Sequence, residues 1–199
     1  MNSLINHTQK IVSDFYQFIR KHFSIVEAII HFSIAFLIII QILDSYFIHN
    51  NHQTYTLGVG TWFHLIVGCM LTFLIIIFLI MLFRKRGFKY YFPYLFGHFS
   101  VLFYDLKLLF KFRLPQSKPY GLASIIQGLG LCALLAVLLS GFLWLIAFKL
   151  NFQDEESLKH LHKFLTTFIE IYIFAHGAMA IFHFLIEKYF PNYIEKIKA

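Results

Sequence analysis

Apolar residues in this chain gather into four long blocks rather than the alternating or one-face patterns of soluble folds. The blocks are Ile25–Phe47, Trp62–Phe83, Gly121–Phe148 and Leu161–Ile186. Each can cross a hydrocarbon layer of about 30 Å as a helix of about 20 residues. The polar connections around His49–Gly60 and Asn151–Ser157 are short. Short connections suit antiparallel neighbours, so the pattern predicts an all-α integral membrane four-helix up-and-down bundle. Two other segments need weighing. Thr8 to Phe23 mixes Ile11, Phe15, Phe18 and Ile19 with Lys10, Arg20 and Lys21, the make-up of an interfacial helix. Tyr90 to Phe112 is apolar, but it carries Asp105, Lys107 and Lys111, and a crossing would export Lys111, Arg113 and Lys118. It reads as an interfacial or cytoplasmic helix and not as a fifth span. The chain thus divides into an N-terminal helix (1–24), a four-helix domain (25–187) with a long loop (84–120), and a tail (188–199).

Composition agrees with the block pattern. Of 199 residues, 59% are hydrophobic and only 14% charged, which excludes an ordinary soluble domain. The first block lies behind a polar segment and lacks a small-residue cleavage site, so it reads as a retained span. Cys69 and Cys132 are the only cysteines, and they form neither CxxC nor CxxCH. That disfavours a zinc ribbon, an iron–sulfur cluster and covalently attached haem, and leaves small packing residues as the reading.

A net charge of +7 could suggest a nucleic-acid partner, but its distribution argues against one. Fourteen of the 17 Lys and Arg fall in Lys10–Lys21, Arg84–Lys118 and Lys188–Lys198. The connections between hold only Lys159 and Lys163, with Lys149 at the edge. This positive-inside bias predicts cytoplasmic termini, a cytoplasmic long loop and two outward-facing short loops.

The candidate chemistry is carried by histidines inside the blocks. His162 and His176 are fourteen residues apart on one apolar stretch, nearly four helical turns, so they leave the same side roughly 21 Å apart. The predicted topology puts His64 level with His162 near the outer face, and His31 level with His176 toward the cytoplasm. Imidazole in hydrocarbon is costly unless something binds it. Neutral imidazole is an axial ligand for haem iron, and two haems with two ligands each need four.

The remaining positions fall around that constellation. Gly68, one turn past His64, and Gly177, after His176, offer room for a flat macrocycle. The third block has no histidine and reads as a packing wall whose close-approach points are Gly128, Gly130, Ser140 and Gly141. His160 turns about 200° away from His162. His183 shares the face of His176 and rivals it as inner ligand. Glu170, deep in the fourth block, reads as part of a proton path, as a hydrogen-bond partner, or as a buried, protonated structural acid. His7, His22, His49, His52 and His98 lie outside the blocks and read as solvated, with a His49/His52 metal site a weak alternative.

At these residues the chain resembles the bacterial di-haem cytochrome b561 family, which includes the cytochrome b subunits of nickel–iron hydrogenases. The resemblance rests on Ala28-Ile29-Ile30-His31, on His64-x3-Gly68, on Leu122 to Gly130, and on Ser157-Leu158-Lys159-His160-Leu161-His162 followed by the gap to His176. Phe32 departs from it, standing where many relatives have tryptophan. The resemblance implies that His31 and His176 hold one haem b, and His64 and His162 the other. It further implies a multi-pass protein of the bacterial inner (plasma) membrane, and transmembrane electron transfer between ubiquinone or menaquinone and a redox partner such as a hydrogenase or dehydrogenase subunit. The family also contains superoxide oxidases, and Lys149, Lys159 and Lys163 could steer that anion. A non-redox four-span adaptor or transporter subunit is the contrasting reading.

Overall fold

The computed structural model describes residues 2–48, 50–51, 56–111, 113, 115 and 118–190. Among the described residues seven helices carry the architecture: α1 (Asn2–His22), α2 (Ile25–Asp44), α3 (Val59–Arg86), α4 (Phe88–Tyr91), α5 (Ser100–Phe110), α6 (Leu122–Lys149) and α7 (Glu155–Tyr189). Among the described residues, α2 with its short continuation to Phe47, α3, α6 and α7 are long and apolar enough to cross a membrane. Their outward faces confirm the medium. Phe174 is 80% exposed, Phe73 65% and Ile171 62%, an apolar surface that water would not tolerate over this extent. The protein is an all-α integral membrane bundle, built as a hairpin α2–α3 and a hairpin α6–α7.

The helix ends follow local chemistry. Ser24 caps α2 reciprocally: its Oγ accepts from the Glu27 amide at 3.2 Å, and its own amide donates to Glu27 Oε2 at 2.7 Å. Lys85 Nζ then donates to both Glu27 oxygens at 2.8 Å, tying the start of α2 to the end of α3. Gly87, at φ +79°, ends α3 in a conformation that favours glycine. The segment weighed as a fifth span is instead broken. Pro93 opens a short 3₁₀ turn, Gly97 takes φ +72°, and α5 has only 11 residues, too few to cross. Asp105 on α5 accepts the Leu122 amide at 2.8 Å, so α5 caps α6 from outside. The last helix starts at Glu155, six residues before the apolar block, because Glu155 and Glu156 favour a helix N-terminus.

Around this frame α1 packs across α7. Phe184 meets the rings of Phe15 and Phe18 edge-on at 5.3 and 5.6 Å, Lys188 pairs with Asp14 at 3.0 Å, and Lys21 pairs with Glu187. On the other side α4 lies flush on α6. A Cβ added at Gly128 would stand 2.3 Å from the Tyr91 carbonyl oxygen. Tyr91 is itself 2% exposed, and burial pushes its hydroxyl above the usual tyrosine range, so it stays neutral. Gly128→Ala is therefore expected to destabilise the protein by about 1–3 kcal/mol, the range for overpacking. Gly177→Ala, whose Cβ meets nothing within 4 Å, should leave the thermal midpoint in detergent unchanged. Circular-dichroism melts of the two variants test the contrast.

Two expectations are corrected here. Cys69 and Cys132 are exposed on the helix surfaces, not packed between helices. Glu170 is also exposed on α7, so it is not a buried structural acid. His49 and His52 lie outside the described residues, as does most of the tail.

Candidate functional site

The two hairpins meet at a small apolar core of Ile34, Ile38, Leu71, Ile75 and Ile169. Ile169 is the midpoint of the α7 pattern. His162 and His176 each lie seven residues from it, about two turns, and so share its face. A histidine level therefore sits on either side of the core. At one level His31 of α2 faces His176 of α7, with ring centroids 6.0 Å apart and planes at 60°. At the other, His64 of α3 faces His162 of α7 at 6.3 Å and 89°. Both pairs bridge from one hairpin to the other.

The levels are built differently. At the His64/His162 level, each ring uses Nδ1 for a hydrogen bond. His64 Nδ1 is 2.6 Å from Asp44 Oδ1, and Gln41 Nε2 donates to the His64 carbonyl at 2.7 Å. His162 Nδ1 lies 3.1 Å from the Val137 carbonyl and 3.0 Å from Ser140 Oγ, which itself donates to that carbonyl at 2.8 Å. With Nδ1 holding the proton toward these acceptors, Nε2 is the lone-pair nitrogen on both rings, the tautomer a metal ligand needs. Gly141 makes the approach possible, since a Cβ there would be 3.1 Å from His162 Cε1.

The His31/His176 level is fixed by aromatic contact. Phe23 stacks on His31 at 5.4 Å and Phe78 tilts against it at 5.9 Å. Tyr172, one turn before His176, stacks on it at 5.3 Å and 12°. Tyr172 in turn lies flat on α6 at Gly130, where a Cβ would be 2.2 Å from its ring. The histidine-free helix α6 thus reaches both levels through glycines, directly at His162 and through Tyr172 at His176.

These pairs fit a bis-imidazole metal. Metal–imidazole bonds of about 2.0–2.1 Å on opposite sides of an ion hold the two ring centroids roughly 6 Å apart. The observed separations are 6.0 and 6.3 Å. Among the described residues no group of three or more His, Cys, Asp or Glu could hold an ion alone. Two imidazoles suffice where a macrocycle brings the other four ligands. Trp144, one turn beyond Ser140, adds a buried indole N–H without a partner among the described residues, a donor suited to a carboxylate.

The other candidates fall outside the pairs. His160 is exposed and lies 3.7 Å from Glu156. His183 turns its Nδ1 to the Met179 carbonyl at 2.9 Å. Gly68 faces α2, where a Cβ would be in ordinary contact with Gln41 Nε2 at 3.6 Å. Asp44, Gln41 and Tyr172 were not singled out from the sequence. Asp44 sits at the polar end of an apolar block, where a carboxylate looks like an ordinary span terminus.

Four apolar spans with paired imidazoles at metal-bridging distance are the features of a membrane cytochrome. The chain belongs to the prokaryotic cytochrome b561 family, whose model matches residues 22–190, a stretch that includes all four spans and both histidine pairs. It is accordingly a multi-pass membrane protein of the haem b electron-transfer type. No curated protein and no solved structure matches it.

Proposed function

We propose that the protein holds two b-type haems and moves electrons across the bacterial inner membrane between the quinone pool and a redox partner. The observation that carries this reading is the presence of two histidine pairs, at 6.0 and 6.3 Å, on opposite sides of one apolar core. His31 and His176 would hold one haem, and His64 and His162 the other. A haem held by two imidazoles would supply reversible one-electron chemistry.

The residues around each pair have separate tasks in this reading. Asp44, Val137 and Ser140 set ring tautomer and orientation at one level, and Phe23, Phe78 and Tyr172 clamp the rings at the other. Ile34, Ile38, Leu71, Ile75 and Ile169 keep water out of the space between. Gly68 stands on the α3 face toward Gln41 of α2, whose amide holds the His64 carbonyl. The basic blocks at the end carrying α1, α4 and α5 support a cytoplasmic orientation for that end, with the His64/His162 level toward the outside.

Ubiquinone or menaquinone is the partner we assign within the bilayer, with a hydrogenase- or dehydrogenase-type subunit, or another redox protein, at a membrane face. Superoxide oxidation ranks below this. Of the lysines that would attract the anion, Lys159 is 3.5 Å from Glu156 and two further carboxylates lie within the same turn. The test is a spectrum of the detergent-purified protein from haem-replete cells. Reduction should bring up a sharp visible α band, haem analysis should give two haem b per chain, and a soluble quinol should reduce part of the band. A colourless preparation would leave the non-redox adaptor or transporter reading in its place.

A further inference from the structure

The two histidine levels differ in one charged contact, and the difference has a redox consequence. His64 Nδ1 sits 2.6 Å from Asp44 Oδ1, while the Nδ1 of His162 meets only a carbonyl and a hydroxyl. Among the described residues neither His31 nor His176 has a hydrogen bond to its ring, and their contacts are aromatic. One of four paired imidazoles thus has a carboxyl group as its partner. Asp44 is 8% exposed, and its other oxygen, Oδ2, is buried with no partner among the described residues, so the short contact to His64 is the one its carboxyl makes there. Gln41, one turn earlier on α2, holds the His64 backbone at 2.7 Å and keeps the two side chains in register.

The physical effect has one sign. A ring whose Nε2 binds a metal keeps its proton on Nδ1, and a carboxylate accepting that proton gives the imidazole part of the character of its anion. The more basic ligand and the nearby negative charge both favour ferric over ferrous iron, and a low-dielectric surrounding strengthens the charge term. We propose that Asp44 is a positioning residue that lowers the reduction potential of the haem held by His64 and His162, so that at equilibrium the electron resides at the His31/His176 level. The proposal rests on the di-haem reading above. It adds a direction to it: electrons entering at the level we place outside run downhill toward the basic end.

Potentiometric titration of the visible α band, with haem content measured on each sample, tests this. The intact protein should give two one-electron waves. Asp44→Asn should move only the lower wave upward, by at least a tenfold change in its reduction equilibrium, about 59 mV for one electron. Asp44→Glu should return it toward the original position. An Asp44→Asn protein that keeps two haems and both waves in place overturns the proposal, as does one in which both waves move equally. His176→Ala gives an independent check, since it would retain only the haem at Asp44. Its single wave must match the lower wave of the intact protein, and a match to the upper one overturns the assignment. A haem content below two in the intact protein sinks the di-haem reading itself, an outcome recognisable before any wave is compared.

Discussion

On the two-haem reading, alanine at His31 or at His176 is expected to remove the same single haem, and alanine at His64 or His162 the other. Four variants therefore collapse into two classes, each retaining one haem of two per chain. The basis is the pairing across hairpins: each haem would draw one ligand from α7 and the other from α2 or α3, with the rings 6.0 or 6.3 Å apart. Losing even an outer partner of a metal-ligating histidine typically costs 10–100-fold in affinity, and losing the ligand costs more. The effects within a pair are not additive, because a haem already lost cannot be lost again. His31→Ala with His176→Ala should look like either alone, whereas His31→Ala with His64→Ala should be colourless. His160→Ala and His183→Ala are the controls. The first ring is exposed beside Glu156 and the second bonds its own helix at Met179, so both variants should keep two haems. Haem-to-protein ratios with reduced-minus-oxidised spectra read all of these. Loss of a haem in His183→Ala with retention in His176→Ala would replace the ligand assigned to His31.

The spans and the histidines were legible in the sequence because both obey a one-dimensional rule. Hydropathy over about 20 residues marks a span, and a fourteen-residue interval on a 3.6-residue helix marks a shared face. What the sequence hid was lateral. Asp44 and His64 are twenty residues apart on different helices, and only the packing of α2 against α3 brings them to 2.6 Å. Cys69 and Cys132 looked like packing residues because they are small and apolar, yet which side of a span faces lipid depends on its neighbours; both are exposed. Helix ends were blurred for a different reason. The polar first turns of α7 remain helical beyond the apolar block, which hydropathy cannot report. Glycine was legible as a residue type but not as a role. Gly177 stands clear of other atoms, whereas Gly130 lies against Tyr172 and Gly141 against His162.

Those two glycines carry the second large expected effect. Gly141→Val should strip the haem at His64/His162 and spare the other, while Gly130→Val should do the reverse. At Gly141 even a Cβ would come within 3.1 Å of His162 Cε1, and a branched side chain must push the ring off the Val137 and Ser140 acceptors that set its tautomer. At Gly130 the first atom met is the ring of Tyr172, at 2.2 Å, and Tyr172 can yield only by leaving its stack with His176 or moving α7. Overpacking a close contact costs about 1–3 kcal/mol. If that cost falls on haem binding, affinity drops roughly 5- to 150-fold at one tenfold step per about 1.4 kcal/mol. The α6 backbone carries no ligand, so a simple loss of fold would take both haems together, and haem content would fall to zero in either variant. Selective loss of one haem, of opposite identity in the two variants, separates ligand displacement from collapse. It would make a helix without histidine the one that holds both α7 ligands in place.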